Sequence, residues 1–234
     1  LDQTGDLSVQ IAQKLRNAIV EGTLLVDERL PSEKELCDRF SVSRPTVREA
    51  LKRLAAQNLI RTQRGATGGA FVNRITYNDA YPRQITSYTL LLSMNEISFQ
   101  TACEARFAIE LSCLPLAAKR RDADHLAEMR NEIHHQREDG LNDVAFCGSD
   151  IKFHKTLVHA AGNPVLRFQV ASAIEAMQPL MNLITFTQRD RAVIVNFHTA
   201  IADAIEAKDA LAAASSLSAL AAYTASLGEQ GQTS

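Results

Sequence analysis

Three side chains in this sequence invite metal chemistry. Asp150 and His154 stand four residues apart, which places a carboxylate and an imidazole on one face of a helix, and His198 belongs to a later helical segment. A carboxylate and two imidazoles converging from two helices suit Zn²⁺, Ni²⁺ or Mn²⁺. The same residues serve equally well as a capped or hydrogen-bonded polar cluster. No Glu follows a candidate ligand His as a general base, and no nucleophile motif accompanies the trio, which weighs against a helical metalloenzyme. Arg106 offers a guanidinium that grips a carboxylate in bidentate fashion or pairs with Glu110 four residues on. His134 and His135 lie in a charge-rich stretch and read as solvent-facing, while His125 and His159 read as surface or packing residues. The four cysteines, Cys37, Cys103, Cys113 and Cys147, form no CxxC pair and read as reduced packing residues.

A second group is basic. Arg44, Arg48 and Lys52 recur at four-residue intervals, opposite an apolar stripe of Val47, Leu51 and Leu54. Such a helix either shows a solvated basic face or lies in a major groove, where guanidinium groups reach guanine edges or phosphates. Charge is uneven along the chain. Net charge is only −2, yet seven basic residues and one acidic residue, Glu49, fall between Arg39 and Arg64. That asymmetry points to nucleic acid.

The elements that must position these groups have their own signals. A helix from about Ser8 to Val20 carries Ile11, Leu15 and Ile19 on one side, with Gly22 beyond its end. Ser32 and Glu35 make a capping box for a second helix ending near Phe40. After a tight turn the basic helix begins around Ser43, with Pro45 in its first turn. Leu59–Gln63 and Ala70–Asn73 read as strands joined by Arg64-Gly65-Ala66-Thr67-Gly68-Gly69, a hairpin whose tip can lie along the minor groove or the backbone. The residues from 75 to 84, with Pro82, read as a connector. Helical patterns follow near 84–94, 98–118, 122–138, 141–161, 164–186, 190–207 and 209–227, with a kink or break expected at Pro115 and Pro179. The fold class is therefore mainly α: a winged helix-turn-helix over 1–74, a linker over 75–84, an all-α bundle over 85–228 and a tail over 229–234. No apolar run approaches the roughly 18 residues of a membrane span, and the N-terminus shows no secretory pattern, so a cytoplasmic protein without a membrane partner is expected.

The run Leu30-Pro31-Ser32-Glu33-Lys34-Glu35-Leu36, followed by Ser41-Val42-Ser43-Arg44-Pro45-Thr46-Val47-Arg48-Glu49-Ala50-Leu51, resembles the N-terminal domain of the GntR transcription factors over about residues 8–73. The resemblance implies that Lys34, Arg44 and Arg48 contact bases or phosphates of double-stranded operator DNA, with Ser43, Thr46, Arg64 and Gly65 completing the site.

Glu104-Ala105-Arg106 with Glu110, then Asp150-Ile151-Lys152-Phe153-His154, then Phe197-His198 through Ile205 resemble more loosely the FCD effector domain of the FadR-like GntR branch. Many such domains hold a divalent metal with one Asp and three His, and the metal and a helix Arg receive a small carboxylate. Asp150, His154 and His198 match three of those positions, and Arg106 matches the helix Arg. The fourth does not match: Leu220 stands where the third His is called for, followed by Tyr223. The resemblance implies a homodimeric regulator, most simply a repressor, released from a palindromic operator by a small organic acid. The open alternatives are a metal-independent sensor of an acyl-CoA type, with Leu220 lining an apolar pocket, and the metalloenzyme.

Overall fold

The computed structural model describes residues 5–65, 68–185 and 189–231. The chain divides into two compact units, Leu1–Asp79 and Ala80–Ser234.

In the first unit, Asp6 accepts hydrogen bonds from the backbone N–H of Ser8 and Val9 and starts helix α1 (Leu7–Val20), whose Ile11 and Leu15 are buried. The Ser32–Glu35 capping box closes both ways at the start of α2 (Glu33–Phe40). Ser41, at φ 54°, turns the chain sharply into α3 (Arg44–Ala56). Val47, Ala50 and Leu54 of α3 are fully buried and Leu51 packs at the edge of the same core. The wing is the antiparallel pair β1 (Ile60–Gln63) and β2 (Gly69–Val72), in register Ile60 to Val72. Arg29 ties the wing to the loop before α2, its Nη2 donating to the carbonyl of Gly68 at 2.5 Å. A Cβ at Gly69, where φ is +155°, would come within 2.7 Å of Arg29 Nε, so a larger residue strains the backbone and displaces the Arg29 side chain. The tip residues Ala66 and Thr67 lie outside the described residues.

Helix α4 (Tyr77–Ser93) begins seven residues earlier than expected and takes up most of the anticipated connector. The signal passed over is a local cap: Thr76 Oγ1 accepts from the N–H of Asp79, while Thr76 N–H donates to Asp79 Oδ2 at 2.9 Å. Pro82 therefore lies inside the helix.

The second unit is built from α5 (Phe99–Arg120), α6 (Ala123–Gln136), α7 (Asp143–Ala160), α8 (Pro164–Thr185), α9 (Arg191–Glu206) and α10 (Ala210–Gly231). Helix α5 packs against α7, α8, α9 and α10, and α6 lies against α7 and α9. Leu114, Met129, Phe146, Phe153, Leu157, Met177, Ile201 and Ile205 fill the centre. Neither Pro115 nor Pro179 breaks its helix. Each forgoes one backbone hydrogen bond, and the packing around the helix outweighs that loss.

One expectation about hydropathy is corrected. The window Ala210–Leu227 of α10 has mean hydropathy 1.4 and is long and apolar enough to cross a membrane by length and composition. Its alanines and serines mask this in a search for long aliphatic runs. The helix lies against α5, α8 and α9.

Candidate functional site

The trio singled out in the sequence comes together. Helix α7 presents Asp150 and His154 one turn apart, and α9 brings His198 opposite. His198 Nε2 lies 3.4 Å and His154 Nε2 4.0 Å from Asp150 Oδ1. Phe153 stacks on His198 with ring centroids 4.1 Å apart, which holds the imidazole plane.

Both imidazoles are oriented from behind by residues that the sequence did not single out for this task. Glu110 of α5 receives His154 Nδ1, and Gln136 Oε1 of α6 accepts from His198 Nδ1 at 2.8 Å. Gln136 is itself turned by a chain of contacts. Ser149 Oγ donates to Glu132 Oε2 at 2.7 Å and accepts from Gln136 Nε2 at 3.2 Å, leaving the Gln136 oxygen for His198. The His198 ring thus carries its proton on Nδ1 and points the Nε2 lone pair toward Asp150, and His154 turns its Nε2 the same way. Among the described residues His198 Nε2 is buried without a hydrogen-bond partner.

The electrostatics fit ligands rather than a charged cluster. Burial pushes the His198 pKa down to about 3, and the Asp150 carboxylate restores only part of the loss, so the ring is neutral at pH 7. Burial alone would raise Asp150. His154, His198, Arg106 and Arg189 more than reverse that and hold its carboxyl below the ordinary range. Two imidazoles and a carboxylate, with the candidate ligand atoms all within 4.8 Å of one another, form a set able to hold a divalent ion.

Asp150 and His154 open onto a cavity of about 20 Å³, walled also by Arg106, Arg189, Phe107 and Leu220. That space admits an occupant the size of a water or an ion. Arg106 is buried, with Nε 3.4 Å from Glu110 Oε2, so the ion pair weighed in the sequence is present while the guanidinium still lines the cavity. Leu220 takes its place in the wall, 3% exposed. Tyr223 does not: its hydroxyl accepts from the N–H of Asp190 at 2.7 Å. His134 is exposed and His135 half-buried. The cysteines are free thiols, and burial raises Cys103 and Cys113 to about 11, which keeps them protonated.

In the first unit Lys34, Ser43, Arg44 and Arg48 are exposed, and Thr46 is half-buried with its hydroxyl 2.9 Å from that of Ser43. Arg48 Nε donates to Glu33 Oε2 at 2.9 Å, which links α3 to α2. Arg64 and Gly65 are exposed at the base of the wing, Gly65 at φ +110°.

Two family models cover these two units: "Bacterial regulatory proteins, gntR family" matches residues 7–72, and "FCD domain" matches residues 101–222. The chain belongs to the gntR family and carries an FCD domain. This GntR-family chain is a DNA-binding transcription regulator with a small-molecule effector domain, not an enzyme. It is 28% identical over 205 residues to an uncharacterized HTH-type transcriptional regulator, YcbG, of Bacillus subtilis, covering 87% of this chain and 82% of that one. It is also 28% identical over 209 residues to the galactonate operon transcriptional repressor of Escherichia coli, covering 87% of this chain and 89% of that one. Among solved structures, a GntR protein of Streptococcus agalactiae shares the fold with TM-score 0.53 and 21% identity, covering 95% of this chain and 99% of that one.

Proposed function

We propose that this GntR-family protein is a homodimeric, cytoplasmic repressor that reads a palindromic operator and releases it when a small organic acid enters the FCD domain. Likeness to a galactonate operon repressor over most of both chains supports a metabolic operon as its target. In this reading α3 lies in the major groove, with Lys34, Arg44 and Arg48 on bases or phosphates and Ser43 and Thr46 beside them. Arg64 and Gly65 bring the wing against the backbone.

Asp150, His154 and His198 would hold one divalent ion, Zn²⁺, Ni²⁺ or Mn²⁺. The observation that carries this is the pair of Nε2 atoms turned toward Asp150, with both Nδ1 atoms already occupied by Glu110 and Gln136. The bound ion supplies a Lewis-acidic attachment point for a carboxylate oxygen. Leu220 supplies no donor, so positions stay open for the effector, and Arg106 stands beside them to neutralise its charge.

Metal analysis of the purified protein tests the site, together with thermal-shift screening of sugar acids, hydroxy acids and short carboxylates with and without Zn²⁺. One divalent ion per chain and a carboxylate shift that requires it are expected. A chain that holds no ion after Zn²⁺ loading and dialysis overturns the metal reading.

A further inference from the structure

Arg29, in the loop before α2, is not among the residues assigned to DNA. The segment it sits in pairs with the other edge of β2: Asp27 N–H donates to the Val72 carbonyl at 3.0 Å, Val72 N–H to the Glu28 carbonyl at 2.9 Å, and Leu30 N–H to the Ala70 carbonyl at 2.8 Å. Burial holds only one end of the hairpin. Ile60 and Val72 are in the core, whereas Thr62, Gln63, Arg64 and Gly65 are exposed. A two-stranded hairpin is marginally stable by itself, so the end toward the tip needs another hold. Arg29 supplies it through Gly68. The guanidinium donates to the Gly68 carbonyl at 2.5 Å, and Gly68 N–H donates to the Gly65 carbonyl at 2.9 Å. A single residue thus joins Arg29 to the turn that carries Arg64 and Gly65. Gly69 makes room for the guanidinium, since a Cβ there would lie 2.7 Å from Arg29 Nε and 3.4 Å from Cζ.

We propose that Arg29 is a positioning residue for DNA binding: it fixes the base of the wing turn, so that Arg64 and Gly65 meet the phosphate backbone already in place. This inference rests on the reading that those two residues bring the wing against DNA.

The gain is entropic. A turn that became ordered only on DNA would lose its freedom at that moment and weaken the contact, and a turn already tied to Arg29 has little left to lose. Packing does not do the same work. Arg29, Ser32, Glu33, Leu51, Thr62 and Gln63 line a groove of about 270 Å³, and among the described residues no side chain fills it. The tether also has a firm base. Three and four residues beyond Arg29, Ser32 caps α2 and Glu33 accepts from Arg48 of α3. One stretch of chain, residues 29–33, therefore sets both the wing turn and the basic helix.

The test uses the full chain and a duplex that the unmodified protein selects from a randomised pool. Mobility shifts give the affinity, and hydroxyl-radical footprinting and methylation interference give the contacts. Arg29→Ala is expected to weaken binding about three- to tenfold, to lose sugar protection where the wing lies, and to keep the guanine contacts of α3. With Arg64→Ala already present, Arg29→Ala should cost less than about twofold, because the contact it prepares is gone. Unchanged affinity and footprint in Arg29→Ala overturn the proposal. So do losses in the two single variants that add in the double variant, which would make Arg29 a DNA contact in its own right. Loss of the α3 contacts together with those of the wing overturns it too, by making the role purely structural. If Arg64→Ala by itself leaves affinity unchanged, the wing reading fails and this inference with it. If Arg64→Ala weakens binding and Arg29→Ala does not, only this inference fails.

Discussion

His198 and Asp150 face each other across two helices with Nε2 and Oδ1 3.4 Å apart, and no proton lies between them to make a hydrogen bond. Gln136 holds that proton on the far side of the ring. An unprotonated nitrogen beside a carboxylate sets two electron-pair donors side by side, an arrangement suited to a divalent cation.

Glu110→Leu and Gln136→Leu should each weaken Zn²⁺ binding about 10- to 100-fold without removing a ligand, because each frees an Nδ1 that now has an acceptor. Competition with a chromogenic chelator measures this. Unchanged affinity in both variants would mean that the rings are held by packing alone.

Leu220→His restores a donor at the position where the resemblance calls for one. Zn²⁺ affinity should rise about tenfold or more, while the metal-free protein loses about 1–3 kcal/mol from burying a polar ring in an apolar wall. Chelator titration and urea unfolding give the two numbers separately.

Acid should destabilise the metal-free protein through His198. In the unfolded chain this residue takes up a proton below about pH 6.5, whereas the folded ring resists until about 3. The unfolded state then binds more protons, so stability falls as pH drops from 7 toward 3, by about 2 kcal/mol at pH 5. Asp150, held low, contributes stability lost only at more acidic pH, as pH falls through its folded value. Thermal melts at pH 7, 6 and 5 should show a slope that His198→Gln flattens.

Arg48→Ala should weaken operator binding by about 1–3 kcal/mol and relax preference at one base pair, with the melting temperature nearly unchanged. Its ion pair with Glu33 is exposed and adds little to stability. Electrophoretic mobility shifts on point-mutated operators test both parts.

His154→Ala should leave operator affinity intact and abolish release by a carboxylate, since the residue belongs to the helical unit alone. Release at the normal concentration of the acid would exclude His154 from the effector site.

How much of this was legible in the chain follows from the range of the interactions. The capping box at Ser32, the apolar stripe of Val47 and Leu54, the glycine-bounded hairpin and the four-residue step from Asp150 to His154 are local, so sequence periodicity and short motifs determined them. The start of α4 was legible too, in Thr76 and Asp79, but Pro82 outweighed it. What sits behind the two imidazoles was not. Glu110 lies 44 residues from His154, and Gln136 lies 62 from His198. No periodicity connects such positions, and Glu110 read naturally as the partner of Arg106 four residues away. Arg29, 39 residues from Gly68, acquires its role only when the wing folds back onto the loop before α2. The sequence alone determined the elements, the basic helix and the grouping of Asp150, His154 and His198. Only the tertiary structure decided tautomer, charge balance and cavity, because those depend on which distant groups are excluded from water together.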